Sequence, residues 1–517
     1  MPQPHREDRI KTPGRHVVVA GAVAAGLTLT APAAAYLCHK DPPGTRILFV
    51  HGRIAYYSAG GTQATLAFDG ARGCRMVRWN AASGKVAMRA ASCSRSHPIR
   101  ELASSQAQLT PASTARPATL NGWPLPARPV RIAVGGKFAV FAAAGGGGLY
   151  ALRLSDGHVG LLGPSRPRDT PALTRAGVFY QDDEFKQDRR HGIVRLKFVP
   201  TSGIAMIVDR AQRPLITHGR ISSLAMDGPR VALAVADPSG KCDRVLYWNV
   251  AWRPVQRISA ADGPTCVLRR RTAITQVAIG GFRAAWLRAS GSGQAIVAGS
   301  PKCQEWVIRR LRAGSGADTV TAVAGDAQTL AFAIARHERE IRGTAEVAVI
   351  SGRFRAVDVA ARRGSPERLA IDTGRIAVLW DDGVVEVRGV RGHLLQTLQI
   401  GKARALAMSG DRLLALRATR VDAYSLRGRD RVGTWHVPAG LDGLDVHYGV
   451  AVLHSPRQVF GLDLETGRHV VLGRTAGGIL DAEIEAAGVA YAYNVGARGV
   501  VRFVPIAAVM RTLGRGR

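Results

Sequence analysis

The densest group of acidic side chains in this sequence is formed by Asp182, Asp183 and Glu184. Neighbouring carboxylates can ligate Ca²⁺ through their oxygens, or they can serve as a general acid and a general base. Four basic residues follow at once, within residues 186–191. Opposite charges this close neutralise one another in water, so the pattern favours a solvated loop. These three residues are the candidates for a metal site, and no metal is predicted.

Two histidines offer a second constellation, because His447 and His454 stand on successive strands of one predicted hairpin. Paired strands could bring them near each other, but a lone histidine pair is more often structural than metal-binding. The sequence lacks the nucleophile elbow Gly-x-Ser-x-Gly, the zinc motif His-Glu-x-x-His, a phosphate-binding loop and a calcium-hand loop. The sequence therefore identifies neither catalytic nor ligand-binding residues, which stay unknown, and no cofactor is predicted.

The cysteines suggest an oxidising compartment. The placement of the first two pairs about predicted hairpin turns suits cross-strand disulfides, while the third pair is what remains. The predicted pairs are Cys74–Cys93, Cys242–Cys266 and Cys38–Cys303. Buried free thiols are the alternative, and no Cys-x-x-Cys or Cys/His spacing supports zinc.

The N-terminus resembles a secretory signal peptide over residues 1–35. A basic segment precedes the apolar run 17–29, and Ala33, Ala34 and Ala35 offer the small residues of a cleavage site before Tyr36. An uncleaved signal anchor is the alternative, because residues 17–35 are marginally long enough to span a bilayer. No later apolar run reaches the ~18 residues of a membrane span. We expect a secreted, extracytoplasmic protein associated with the cell envelope.

The charge is strongly positive. The 517 residues carry a formal net charge of +33, with 62 arginines and nine lysines. Such a field favours polyanions, although an arginine-rich composition spread over the surface is the plainer interpretation. Only residues 269–271 and the tail 511–517 are clusters, and no nucleic-acid motif accompanies them. The expected partner is an anionic envelope polymer or another envelope protein, and nucleic acid is not expected as the native partner.

The elements that would position these residues are short β-strands. Residues 444–474 predict four strands, at 444–447, 450–454, 459–464 and 469–472, separated by turns with Gly449, Pro456 and Gly467. Valine and leucine dominate the strands, and glycine and proline supply the reversals. Four antiparallel strands in about 30 to 40 residues are typical of one β-propeller blade.

The same unit recurs along the chain as a strand, a glycine turn, and a second strand with alanine at its centre. The turn glycines are Gly52, Gly136, Gly177, Gly228, Gly281, Gly325, Gly374, Gly410, Gly449 and Gly488. The central alanines are Ala55, Ala139, Ala232, Ala284, Ala331, Ala377, Ala451 and Ala490. A small residue there would let neighbouring blades pack closely, and a strand that is apolar on both faces suits a sheet between two others.

The sequence therefore predicts an all-β propeller of four-stranded antiparallel blades, with about eight to ten units. The predicted domains are the signal peptide 1–35, the propeller 36–512 and a basic tail 513–517. Residues 94–129, rich in serine, alanine, proline and threonine, predict a loop excursion or linker. One large ring, an eight-bladed ring with irregular ends, and two rings divided near residues 265–275 all remain open.

The turn at residues 462–467, Leu-Asp-Leu-Glu-Thr-Gly, resembles the D-x-x-T-G turn of secreted propellers of the quinoprotein-like and YVTN type. The resemblance extends loosely over residues 130–512 and implies propeller architecture and a binding role. The tryptophan that quinoprotein repeats place after this turn is absent here, so the resemblance transfers no quinone site.

These observations favour an exported propeller that acts as a binding or scaffolding module at the cell envelope. The alternative is a propeller enzyme, either a glycan hydrolase or lyase or a quinoprotein-like dehydrogenase. An enzyme needs carboxylates or a histidine converging at the channel mouth, whereas a binding module needs a charged or aromatic rim. We interpret the chain as a binding module, with enzymatic activity left undecided.

Overall fold

We describe the fold from a computed structural model of the 517-residue chain. It describes residues 44–515 apart from 71–72, 91–108, 112–117, 126–128, 144–147, 164–170, 183–192, 211–213, 237–242, 251–255, 258–271, 281–282, 291–292, 301–303, 312–317, 327–328, 338–340, 350–355, 373 and 429. The predicted signal peptide therefore lies outside the described residues. Within them the chain forms ten four-stranded antiparallel sheets and one three-stranded sheet. The prediction of an all-β propeller with four-stranded blades is confirmed.

The first part of the chain forms four sheets. The first contains β2 (Arg53–Gly60), β3 (Gln63–Gly70), β4 (Gly73–Asn80) and β5 (Val86–Ala90). The second is small and lies within the predicted linker: β6 (Leu109–Thr110), β7 (Thr119–Leu120) and β8 (Trp123–Pro124). The third contains β9 (Pro129–Gly135), β10 (Phe138–Ala143), β11 (Leu149–Arg153) and β12 (Val159–Gly163).

The fourth sheet corrects one predicted hairpin. It contains β13 (Ala172–Leu173), β14 (Gly177–Asp182), β15 (Ile193–Pro200) and, at its edge, β1 (Arg46–His51). The glycine pattern predicted that the strands on either side of Gly52 pair with each other. Instead β1 pairs with β15 while β2 begins the first sheet, so the two strands belong to different sheets. The pattern of a strand, a glycine and a strand does not distinguish a hairpin from a chain that crosses to the next sheet.

The remaining chain forms seven sheets, here called blades 1 to 7. Blade 1 contains β17 (Ile221–Asp227), β18 (Arg230–Val235), β19 (Arg244–Asn249) and β20 (Gln256–Arg257). Blade 2 contains β21 (Thr272–Gly280), β22 (Arg283–Ser290), β23 (Gly293–Ser300) and β24 (Gln304–Arg310). Blade 3 contains β25 (Thr319–Asp326), β26 (Thr329–His337), β27 (Ile341–Val349) and β28 (Ala356–Arg363).

Blades 4 to 7 follow the same order. Blade 4 contains β29 (Pro366–Asp372), β30 (Arg375–Trp380), β31 (Val384–Gly389) and β32 (Leu394–Gln399). Blade 5 contains β33 (Ala405–Ser409), β34 (Arg412–Leu416), β35 (Arg420–Ser425) and β36 (Arg431–His436). Blade 6 contains β37 (Gly443–His447), β38 (Val450–His454), β39 (Gln458–Asp463) and β40 (His469–Arg474). Blade 7 contains β41 (Ile479–Glu485), β42 (Gly488–Val495), β43 (Arg498–Pro505) and an outer strand from earlier in the chain, β16 (Leu215–Thr217).

The seven blades close into a ring. The first strand of each blade contacts the first strand of the next, and β41 of blade 7 contacts β17 of blade 1. Closure is made by β16, which precedes blade 1 in sequence and pairs with β43 in blade 7, with Thr217 opposite Gly499. The chain passes from the N-terminal sheets to the ring between Arg210 and Leu215. The first strands of the blades thereby surround a central channel.

Alanines in the second strands allow the blades to pack closely, as the sequence predicted. Seven of the eight predicted alanines are buried, with at most 1% of their surface exposed: Ala139, Ala232, Ala284, Ala331, Ala377, Ala451 and Ala490. Ala55 is exposed, because β2 is the first strand of its sheet rather than the second. The missing neighbour on one side of that strand leaves its alanine open to solvent.

The blade predicted from residues 444–474 forms with boundaries that differ by at most two residues. Its third turn is held by Asp463, whose carboxylate accepts the backbone N–H groups of Glu465 and Thr466 at 2.7 and 3.1 Å. Gly467 takes a φ of +74° there, which favours glycine. Arg515, from the predicted basic tail, donates to the fully buried Asp463 carboxylate at 2.6 Å. This tail residue is therefore part of the folded structure.

Two helices complete the described chain, α1 (Thr201–Arg210) and α2 (Ile506–Thr512). Helix α1 packs its apolar face, including Ile204 and Val208, against the third and fourth N-terminal sheets. Helix α2 follows the last ring strand and contacts β8, where the Arg511 guanidinium lies 5.6 Å from the centre of the Trp123 ring. This contact joins the end of the ring to the N-terminal sheets.

Closure of the ring leaves no room for a side chain at Gly499. A Cβ atom there would lie 2.4 Å from Ile221 Cγ1 and 2.6 Å from Thr217 Oγ1. We expect Gly499→Ala to lower the free energy of unfolding of the ring by about 1–3 kcal/mol, because the closing strand must shift. Chemical denaturation of the purified protein measures the change.

The matched control is Gly478→Ala, because a Cβ atom at Gly478 would meet no atom within 4 Å. It should change stability by less than about 0.5 kcal/mol. Equal stabilities of the two variants would show that closure through β16 does not limit the stability of the ring.

Candidate functional site

The acidic group that the sequence singled out contributes little to the described structure. Asp182 is the last residue of β14, and Asp183 and Glu184 lie outside the described residues. No group of three or more histidine, cysteine or acidic side chains among the described residues is placed to hold a metal ion. The candidate metal site therefore receives no support from the described part of the chain.

The predicted disulfides remain a prediction. Cys74 lies in β4, but its predicted partner Cys93 is outside the described residues. The other four cysteines, Cys38, Cys242, Cys266 and Cys303, are also outside them.

The structure separates the two histidines of blade 6. His447 pairs with Val450 at the turn, and His454 pairs with Gly443 at the opposite end of the same hairpin. They therefore do not form a joint metal site. Each instead approaches a carboxylate of blade 7: His447 Nδ1 lies 3.6 Å from Glu485 Oε2, and His454 Nε2 lies 3.8 Å from Asp481 Oδ1.

The channel of the ring contains a group of polar side chains that no sequence motif marks. The last residue of each first strand, just before the turn, occupies an equivalent register position in all seven blades. These residues are Asp227, Gly280, Asp326, Asp372, Ser409, His447 and Glu485. Four of the seven positions hold a carboxylate, so this end of the channel is acidic.

Blades 6 and 7 extend the acidic group along the channel. Asp445 on β37, together with Asp481, Glu483 and Glu485 on β41, alternates with buried apolar residues. We call these four residues the channel carboxylates. Alternation places them on one face of each strand, away from the blade cores. Four like charges on two adjacent strands make this the strongest concentration of titratable groups in the described ring.

Two channel carboxylates bind backbone N–H groups across a blade boundary. Asp445 of blade 6 accepts from Ile484 N–H of blade 7 at 2.7 Å, and Glu483 of blade 7 accepts from Met226 N–H of blade 1. The first strand of a blade is a sheet edge whose outward N–H groups lack a strand partner. These carboxylates therefore have a structural use, because they satisfy edge donors on both sides of the closing blade.

Among the described residues, the other two channel carboxylates accept no backbone N–H group of a neighbouring blade. Asp481 accepts from its neighbour Ala482 N–H at 2.9 Å, and Glu485 accepts from Ala486 N–H at 3.3 Å. Their side chains are 36% and 25% exposed, which leaves them open to the channel. These two groups are available to a ligand in the channel.

Burial and mutual repulsion favour the protonated forms of the channel carboxylates. Burial is the main cause that raises the pKa of Asp445 to about 6. Burial, with the nearby Asp445 charge, raises the pKa of Asp481 to about 7. The pKa of Glu483 and that of Glu485 are also raised well above the ordinary value, by burial and then by neighbouring carboxylates. A cationic group in the channel would reverse these shifts.

Burial also keeps two neighbouring aromatic side chains, His447 and Tyr448, uncharged. Burial lowers the pKa of His447 to about 4, so its imidazole is uncharged at neutral pH. Burial and the Glu485 charge raise the pKa of Tyr448 to about 12, and the two rings meet edge to face with centroids 4.1 Å apart. Neutral His447 can accept or donate one hydrogen bond at the channel end, but it adds no charge there.

Charges of opposite sign are distributed differently in the described ring. The channel carboxylates face inward, and Asp422 and Asp463 are fully buried with arginine partners at 2.6 Å. Exposed arginines such as Arg391, Arg474 and Arg498 have no carboxylate partner within the part of the chain that the structure describes. The outward field is consequently more positive than an even mixture of charges would give.

Comparison with known proteins gives structural similarity at low sequence identity. No protein-family model matches the sequence, and no curated protein matches it. Saccharomyces cerevisiae Sqt1 is 10% identical, with 56% of this chain and 98% of that chain covered and a TM-score of 0.37. The WD40 β-propeller domain of Doa1 is 11% identical, with 56% and 95% covered and a TM-score of 0.40. The Neurospora crassa Pan2 WD40 domain is 14% identical, with 55% and 88% covered and a TM-score of 0.38.

These similarities concern architecture alone, and the assignment of a propeller rests on the sheets described above. The quinoprotein-like and YVTN resemblance remains a prediction beyond its architectural part. No helix among the described residues is long and apolar enough to cross a membrane.

The raised pKa of Asp481 links stability to pH. An unfolded aspartate titrates near 3.8 and the folded one near 7, so the folded state binds this proton more tightly. The resulting stabilisation is complete below pH 4 and is lost as the pH rises through 7. Asp481→Asn cannot ionise, so we expect it to gain about 1 kcal/mol relative to wild type between pH 5 and pH 8, after allowance for solvent screening.

Denaturation at both pH values measures this difference, and Asp430→Asn, in an exposed turn of blade 5, is the matched control. The lowered pKa of His447 acts in the opposite direction between pH 6.5 and 4, but it is common to both variants. An Asp481→Asn protein whose stability follows pH as the control does would contradict the channel electrostatics.

Proposed function

We propose that this chain is an exported β-propeller that acts as a binding or scaffolding module at the cell envelope. Its partner is an anionic envelope polymer or another envelope protein. The observation that carries the proposal is the set of exposed arginines, such as Arg391, Arg474 and Arg498, that have no carboxylate partner among the described residues. Part of the opposing charge, on the channel carboxylates and on the fully buried Asp422 and Asp463, is held inside the ring. Arginine suits this role because its planar guanidinium binds phosphate and carboxylate through two parallel hydrogen bonds.

The proposed location depends on the N-terminal sequence. A basic segment, an apolar run and Ala33-Ala34-Ala35 are the features of a cleaved leader, so the mature protein would begin at Tyr36. Removal of residues 1–35 leaves a charge of +31, since that segment carries four basic and two acidic residues. A basic propeller outside the cytoplasmic membrane would meet phosphate-rich and carboxylate-rich polymers rather than nucleic acid.

The channel carboxylates favour a second candidate function, a glycan hydrolase or lyase. Such enzymes use one carboxyl group as a general acid and another as a base or nucleophile, and perturbed pKa values cluster at such sites. Asp481 and Glu485 are the two channel carboxylates that accept no backbone N–H group of another blade among the described residues. They stand four residues apart on one strand, about 13 Å along it, whereas the carboxyl pairs of such enzymes are about 5–9.5 Å apart. Asp445 and Glu483 have a structural use in the same channel, so the cluster is accounted for in part without catalysis.

The two candidates differ in what happens to a glycan. A binding module should release no new reducing ends from purified envelope glycans beyond the level of a double variant, Asp481→Asn with Glu485→Gln. If the wild-type protein releases new reducing ends and the double variant does not, the protein is a glycan-cleaving enzyme rather than a binding module. The double variant should bind as the wild type does if the channel takes no part in binding.

Electrostatic binding makes a specific prediction about salt. Binding to an envelope polymer should weaken by orders of magnitude between about 50 and 200 mM salt, because bound phosphates release their counterions. A native partner should still bind near 150 mM salt, where isolated exposed ion pairs contribute little. Titration of purified envelope polymers, with duplex DNA as the control polyanion, measures both features. Polymers that bind no better than DNA at this salt would remove the basis of the proposal.

A further inference from the structure

The two faces of the ring differ in what their turns contain. On the first face lie the turns that join the first two strands of each blade and those that join the last two. On the second face lie the turns between the second and third strands and the connections from one blade to the next. Because all blades share one strand order, each turn can be assigned to a face from its position in the chain.

The first face is mixed in charge and partly covered. It holds the acidic channel end, and Arg230 and Arg375 there pair with Asp227 and Asp372 at 3.4 and 3.6 Å. Arg230 is buried, and its charge acts on the buried Tyr150 of the third N-terminal sheet. The N-terminal sheets therefore approach this face at blade 1.

The second face is basic over four consecutive blades, from blade 5 through 6 and 7 to blade 1. Six exposed cationic side chains lie at its turns and connections, and none has a carboxylate partner among the described residues. They are Lys402, Arg404, Arg457, Arg474, Arg498 and Arg220, and we call them the basic arc. Asp442, before β37, is the exposed acidic residue described in the same stretch.

Two further arginines on this face do not belong to the arc. Arg417 and Arg420 bind the fully buried Asp422 at 2.6 and 3.2 Å, and Arg417 also donates to backbone carbonyls of Ile400 and Lys402. The positive charges of these two arginines are therefore paired with a carboxylate of blade 5. The arc residues differ because none of their guanidinium or ammonium groups pairs with a carboxylate among the described residues, although Arg404 donates to the Leu441 carbonyl at 3.3 Å.

We propose that the basic arc binds a flexible linear polyanion with closely spaced phosphate groups. This inference rests on the proposed function and locates its binding surface. Neighbouring blades stand about 10 Å apart, so the arc follows a curve on the order of 30 Å long. A flexible phosphate chain can bend along that curve and present a phosphate to each arginine. Duplex DNA is straight over this length, with a persistence length of about 50 nm.

Phosphate is the anion that matches these residues best. Five of the six arc residues are arginines, whose fork of N–H donors matches two phosphate oxygens. A chain of carboxylates spaced one to a sugar or peptide residue offers fewer charges along the same length. The arc should therefore prefer inorganic polyphosphate to polyglutamate of equal length.

The test removes charge from one face at a time. The arc variant is Arg457→Ala with Arg474→Ala and Arg498→Ala, and the matched control removes three exposed arginines of the first face, Arg391, Arg412 and Arg468. In the arc variant, affinity for inorganic polyphosphate at about 0.1 M salt should fall on the order of 30-fold to 100-fold, and the salt slope should decrease by about 2. The control should change affinity less than about 3-fold, since its charges act from the other face.

Each outcome has a distinct meaning. Equal losses in the two variants would show diffuse attraction and overturn the arc, while leaving the proposed function in place. If polyglutamate binds as tightly as inorganic polyphosphate, the proposed preference for phosphate is wrong. If duplex DNA binds as tightly as polyphosphate, the arc does not require a flexible ligand. If the wild-type protein binds no polyanion at 150 mM salt, the proposed function itself fails. Circular dichroism and denaturation midpoints of both variants confirm that they remain folded.

Discussion

The ring depends on one short strand pairing, because β16 must reach β43 for seven blades to close. Three residues make that pairing, and they join Thr217 to Gly499 across most of the ring sequence. A closed ring removes the exposed faces that an open row of blades would leave at its two ends. At the two boundaries of the closing blade, Ile484 N–H donates to Asp445 and Met226 N–H donates to Glu483. These half-buried acceptors thus reinforce both boundaries of the blade that closes the ring.

The sequence predicted the turns and hairpins formed by neighbouring residues, but it did not predict the strand pairings between segments far apart in the chain. Residues 444–474 form the predicted blade because each turn is encoded beside its strands, as Asp463 and Gly467 show. The pairings of β1 with β15 and of β16 with β43 connect segments far apart in the chain. Residues 215–217 are too few to show an alternating pattern. The seven-bladed ring could not be counted from repeats alone, because three of the ten four-stranded sheets lie outside it.

The channel carboxylates were missed for a related reason. Asp445, Glu483 and Glu485 are spread over 41 residues and match no motif. Asp182, Asp183 and Glu184 are consecutive in the sequence, so they are easily recognised as an acidic group. A usable signal was present, since Asp227 directly precedes Gly228, and Asp372 and His447 each stand two residues before the turn glycines Gly374 and Gly449. Only the alignment of blades by register shows that these positions share one end of the channel.

The acidic channel and the basic arc are electrostatically linked because they share blades 6 and 7. Ionised carboxylates in the channel reduce the positive potential at Arg457, Arg474 and Arg498 on the second face, and protonation of these carboxylates removes that reduction. Because burial raises the pKa of Asp445 to about 6 and that of Asp481 to about 7, the change falls within the ordinary pH range. Asp445, which also reinforces ring closure, and Asp481 therefore modulate the attraction that the exposed arginines exert on an anion.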